Sequence, residues 1–290
     1  RQRPTHENRS RPSVMSSGST YPSSRTGTGG RYLWCIVGAS DANVSQRSVT
    51  GVDDATVSLT TYDDIAVVSH ATDQLYDTDD IAQLRRWLVA HQAVIDEVGA
   101  TFGTPLPFQF DVILQGGDEA VVQWVEANEQ RIRTALDEFR GSWEYRVHLK
   151  WDRSDVESVV READDRLQEI SQQRAETGEG TQFLLDTQYE ERLTEVLETK
   201  KASLRDRLTD AIDETARQVT SHTAVPSLKE LDGLDDDTEW VARIAVLADK
   251  SDETELGAHL DDIAVHPGVA IEFTGPWPPY SFTPDFAEDT

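Results

Sequence analysis

Several things are scarce in this sequence. Its 290 residues include one cysteine, Cys35, one methionine, Met15, and five lysines, at 150, 200, 201, 229 and 250. A single cysteine excludes an intrachain disulfide and any cysteine-rich zinc site. No stretch approaches the roughly 18 consecutive apolar residues that a membrane-crossing helix requires. Positive charge is also short: 27 Lys and Arg stand against 54 Asp and Glu, for a formal net charge of -27. Phosphate backbones and anionic lipid surfaces both repel such a chain, which argues against nucleic acid or membrane as a partner. There is no G-x-S-x-G nucleophile elbow and no H-E-x-x-H pair. Gly27–Gly30 and Gly178-Glu-Gly180 do not sit between a strand and a helix with a lysine, so they read as linker and loop.

The charge that is present has a character. Basic residues are mostly Arg, whose planar guanidinium is weakly hydrated, and acids dominate the rest. This composition suits very high salt, where the Debye length shrinks to about 3 Å and self-repulsion is tolerable. Residues 1–30 are rich in Arg, Ser, Gly, Thr and Pro, lack apolar periodicity, and read as a disordered tail. The tail has no apolar stretch of the secretory kind, so a cytoplasmic protein is expected. Met15 is a possible start of translation. Residues 31–290 carry 22 bases and 53 acids, a net charge of -31.

Apolar periodicity then predicts an α+β chain of two domains, 31–152 and 153–290. The run Tyr32–Val37 reads as a buried strand and 56–62 with 65–70 as a hairpin. Asp77–Asp80 caps a helix whose apolar face runs from Ile81 to Val98 and which ends near Gly99 or Gly103. Leu106–Leu114 reads as a strand, residues from Val121 to Phe139 as a helix, and Trp143–Trp151 as a strand. A ferredoxin-like sheet with both helices on one face satisfies that order. In the second domain a helix is expected over 153–174 and a longer one from about Thr187 to Ser221. At about 1.5 Å per residue the latter is too long for a small sheet, so it should project or pair with its predecessor as a coiled-coil-like arm. A strand at Trp240–Leu247, a helix at Glu255–Ile263 and a strand at Val269–Phe273 follow.

Candidate chemistry is thin. His91, mid-helix ahead of a Pro-Leu-Pro-Phe strand, is the best candidate general base, with a structural role as the alternative. Asp235–Asp237 offers carboxylates to a hard cation but lacks calcium-loop spacing, so a solvated turn is the plainer reading. Cys35 in its apolar strand reads as a buried small hydrophobe. No catalytic, cofactor or metal residue is assigned. The segment Gly275–Phe282 (GPWPPYSF) is different: three prolines stiffen it, and Trp277, Tyr280 and Phe282 lie within six residues, as binding anchors do. It serves either as such an anchor or as a strap closing the second domain's sheet. The arm face at Leu193, Leu197, Leu204 and Leu208 is a second candidate partner surface.

The sequence resembles the GvpF/GvpL family of gas vesicle accessory proteins. Gly275–Phe282 looks like that family's terminal G-P-W-P-P-Y signature. Tyr32–Cys35, His91 followed by Pro105–Phe110, and Trp143–Asp152 match weaker family stretches in the right order. Gln109 and Asp111 depart from it, standing where the family usually has Arg and Gly. Length and tail look like the GvpL branch, and the acidic composition points to a halophilic archaeon. The resemblance implies a two-domain α+β fold with a ferredoxin-like first domain and no enzymatic activity. It implies association with the shell protein GvpA and other accessory proteins during vesicle nucleation, and a minor place in the gas vesicle itself. A homo-oligomer is compatible with it. The competing readings are a general oligomerisation or chaperone module, and a metal-assisted hydrolase built around His91.

Overall fold

The computed structural model describes residues 29–39, 50–176, 178–221 and 238–286. The first sheet is antiparallel, in the order β2 (Ser58–Tyr62), β3 (Ile65–Thr72), β1 (Gly30–Gly38), β4 (Leu106–Pro107), with β5 (Ile113–Gln115) also paired to β1. Strand β1 is apolar on both sides because both sides are covered. Tyr32, Trp34 and Val37 join Ala66 and Val68 beneath α1 (Ile81–Phe102), where Val94, Ile95 and Val98 complete one core. Leu33, Ile36, Ile65 and Val67 point the other way, onto Val121, Val125 and Ile132 of α2 (Asp118–Glu138). A register shift between Leu33 and Cys35 turns Trp34 and Cys35 toward the same side. The two helices therefore take opposite faces, which corrects the one-sided ferredoxin-like arrangement expected from element order. The Asp80 carboxylate caps α1 by accepting from the amides of Ala82 (2.8 Å) and Gln83 (3.3 Å), and Gly103, at φ +86°, ends it.

The strand expected over 106–114 is split. Asp111 adopts φ +64°, a left-handed conformation that breaks the extended run between β4 and β5. Its carboxylate accepts from the Tyr76 amide at 3.1 Å, which compensates a position that favours glycine.

The second sheet has the order β7 (Ala216–Ser221), β8 (Thr238–Asp249), β6 (Ser142–Asp152), β9 (Val269–Trp277), all antiparallel. Strand β6, which a boundary at 152 assigns to the first domain, is thus central to the second sheet. Its alternate residues Tyr145, Val147, Leu149 and Trp151 are buried under four helices. The helix expected over 153–174 is two, α3 (Arg153–Ala163) and α4 (Asp165–Glu176), because Asp164 interrupts it and accepts from the Leu167 amide at 2.9 Å. Helix α5 runs from Glu179 to Asp213 and α6 from Glu253 to Ala264.

At 35 residues α5 is about 52 Å long. Its first half lies on α4, tied by Arg174 to Asp186 (2.7 Å) and Arg192 to Asp164 (2.8 Å). Its second half lies on the sheet. There Lys201 (2.7 Å) and Arg153 (2.9 Å) hold the carboxyl of Glu239, on β8, down at about 2, and Arg205 donates to the Val241 carbonyl. The helix stops eight residues short of the expected Ser221. Residues 216–221 form β7, and Val219 falls on helical spacing by coincidence while pairing with Val246 as a strand residue.

Leu193, Leu197, Leu204 and Leu208 are only 1–3% exposed. Their stripe is the underside of α5, pressed into the second core, which corrects its assignment as an open partner surface. Replacing Leu204 or Leu208 with Ala should cost about 2–5 kcal/mol each, measured by denaturant unfolding in high salt.

Candidate functional site

Beyond β9 the chain leaves the second sheet and crosses onto the first unit. Just before that exit, where the pairing of β9 with β6 shifts register, Gly275 has φ +141°, and a Cβ there would lie 2.9 Å from the Glu144 carbonyl and 2.8 Å from the Tyr145 ring. Only glycine fits so close an approach, which explains the first letter of the signature. Trp277 remains half-buried beside the Arg146 guanidinium, 5.6 Å from its ring, and donates to Thr274 (3.3 Å). The Tyr280 ring packs into the core beneath α1 and its hydroxyl donates to Gln92 at 3.2 Å. Burial pushes that phenol well above its ordinary value. Phe282 lies against the core beneath α2, and Phe286 is buried there against Phe108 and Trp124, with Arg131 over its ring. The strap therefore fastens the second sheet to both cores of the first unit.

Glu144 is the polar centre of this junction. Its side chain is fully buried, takes a 3.0 Å bond from Arg146 Nε on one oxygen, and accepts from the Ser281 amide at 2.6 Å on the other. All three expected strap anchors are partly buried: Tyr280 and Phe282 pack against the two cores of the first unit, and Trp277 lies beside Arg146.

His91 lies in a second polar cluster. Its Nε2 donates to the Phe108 carbonyl (3.2 Å), which leaves Nδ1 to accept from the Tyr32 hydroxyl (2.7 Å). The Tyr32 oxygen in turn accepts from the Asp111 amide (3.3 Å). His70 Nε2 bonds the Tyr76 hydroxyl (2.9 Å), and the His70 ring stacks on Tyr32 while His91 stacks on Trp34. Burial lowers both imidazoles from 6.5 to about 4, Arg31 adding to the effect at His70 and the Phe108 bond opposing it at His91. At neutral pH they are uncharged members of an aromatic core. Burial also raises the Asp111 carboxyl and the Cys35 thiol. An open cleft of about 300 Å³ lies elsewhere, lined by Asp64, Phe102, Arg133 and Trp143, and Arg133 is already bound to Asp64 and Glu129. Asp235–Asp237 lie outside the described residues.

Sequence reasoning missed one accessible apolar feature. Phe183 and Leu184, one turn into α5 and close to its junction with α4, are 75% and 59% exposed. The signal was available: they fall outside the stripe that Leu185, Tyr189 and Leu193 bury.

The sequence model of the family described as gas vesicle synthesis protein GvpL/GvpF matches residues 30–284. The chain belongs to the GvpL/GvpF family. Gas vesicle protein L2 of Halobacterium salinarum is 44% identical over 261 residues, covering 90% of this chain and 93% of its own. Gas vesicle protein L of Haloferax mediterranei is 39% identical, covering 91% and 90%. Gas vesicle protein F of a Streptomyces species is 25% identical over 210 residues, so the family resemblance is stronger on the L side. The crystal structure of GvpF from an Anabaena species shares the fold, with a TM-score of 0.68 at 19% identity over 89% of this chain and 99% of that one. The halophilic reading of the composition agrees with the salt-loving archaeal sources of the L relatives.

Two outcomes are expected for this GvpL/GvpF chain. Glu144→Ala should strand Arg146 and the Ser281 amide, lower stability by about 3 kcal/mol, and speed proteolysis of the strap. Because His70 and His91 titrate near 4 when folded and near 6.5 when unfolded, stability is full above pH 6.5 and falls as pH drops toward 4. The slope is about 1.4 kcal/mol per pH unit per histidine, and His91→Gln should remove one proton from it in acid-titration unfolding experiments.

Proposed function

We propose that this chain is a non-enzymatic accessory protein of gas vesicle formation that binds the shell protein GvpA and other accessory proteins during nucleation and assembly. In this reading it works in the cytoplasm, as two α+β units, the second of which begins with β6, joined by the strap, and remains as a minor part of the vesicle. The observation that carries the reading is similarity over nearly the whole chain to gas vesicle proteins L. No helix among the described residues is long and apolar enough to cross a membrane.

A shell subunit with apolar faces aggregates unless they are covered. A strongly acidic partner keeps such a complex dispersed, and apolar contact carries the binding where salt screens long-range attraction. Phe183 and Leu184 are the side chains best placed for that contact, with Trp277 at the strap as a second point; the leucines of α5 are spent on the core. Replacing Phe183 and Leu184 together with Ser should reduce capture of GvpA in high-salt co-purification at least tenfold and leave unfolding unchanged. Undiminished capture by the double variant removes this surface from the reading.

A further inference from the structure

At the far end of α5 the chain assembles a set of metal-ligating side chains away from the strap and the histidine core. Glu214 follows the last residue of α5, and Glu255 and His259 stand one turn apart on α6. One ligand atom from each lies within 4.8 Å of the other two. Tetrahedral ligands about 2.1 Å from an ion are about 3.4 Å apart, so closing the set takes a shift of about 1 Å, within reach of two exposed carboxylates.

His259 is already oriented. Its Nδ1 lies 3.0 Å from the Ala211 carbonyl, in the last turn of α5. A carbonyl oxygen only accepts, so Nδ1 carries the ring hydrogen and Nε2 keeps its lone pair for a ligand. This is the arrangement in which a metal-binding imidazole is usually held. Neither Glu214 nor Glu255 has an ion-pair partner among the described residues, although both stand beside the negative end of α5. Two carboxylates and an imidazole favour a borderline divalent ion such as Zn²⁺ over the alkali ions of a saline medium, which bind nitrogen poorly, and over Mg²⁺, which prefers oxygen alone.

We infer that Glu214, Glu255 and His259 form a site for a divalent transition-metal ion that staples the end of α5 to α6. Water completes the coordination, and because the ligands come from the end of α5 and from α6, the role is to tie these two elements together, independent of any shell partner.

The test is a Co²⁺ titration of the full chain in concentrated KCl, followed by visible d–d absorption and by the thermal unfolding midpoint. One equivalent should bind, raise the midpoint, and be displaced by Zn²⁺ but not by excess Mg²⁺. His259→Ala should weaken binding roughly tenfold or more. Glu255→Gln should do the same, and, being exposed, it leaves the metal-free fold intact if His259→Ala does not. Absence of saturable binding overturns the inference. So does binding of several equivalents indifferent to both variants, the signature of a diffuse acidic surface, and so does equal competition by Mg²⁺.

Discussion

A carboxylate with no exposed surface must find its partners inside the protein, and the structure turns on how Glu144 does so. Its oxygens take the Arg146 guanidinium from the same strand and the Ser281 amide from the C-terminal segment. That second bond fixes where the chain runs after β9. It sends Tyr280 beneath α1 and Phe282 and Phe286 beneath α2. The crossing adds to the contacts the two units make near Leu247, at the end of α2 and where Trp143 lies against Gly99. Stiff, proline-rich backbone makes the crossing cheap in entropy, and the aromatic side chains supply the apolar area that holds it.

The same economy shapes the surface. With acids in twofold excess over bases, several Arg tie elements together: Arg174 and Arg192 join α5 to the α4 region, and Arg153 joins α3 to β8. Exposed pairs of this kind contribute little singly and are weakened by salt. The apolar cores therefore carry the stability in concentrated brine, and solvent-facing carboxylates carry solubility. Phe183 and Leu184 stand out on such a surface because little else that is large and apolar lies beside them on the helix.

Much of the fold was legible from pattern. The α1 cap at Asp80, the presence of α2 and the alternation of β6 followed from cap chemistry and periodicity alone. The errors have physical causes. Burial of β1 on both faces looks the same in sequence whether helices share one face or divide between two, so the layer order could not be read. Asp164 interrupts an apolar stripe without breaking its spacing, and Val219 continues one into a strand. Leu193 to Leu208 make the point most clearly: an apolar helical stripe says that something covers it, and cannot say whether the cover is the protein's own sheet or another molecule. The strap was legible as rigid and aromatic, but its destination depends on Gln92, Phe108 and Trp124, which no local pattern links to it. The Glu214, Glu255 and His259 set escaped because its members come from two helices that only tertiary packing brings together.

One consequence follows from Phe286. This side chain fills a gap between Phe108 and Trp124 in a core whose central strand begins at Gly30. On a translating ribosome the first sheet emerges early, yet its core stays open until residue 286 has cleared the exit tunnel. The nascent first unit therefore waits, incomplete, through the synthesis of more than half the polypeptide, with the groove beneath α2 exposed to whatever else is being made nearby.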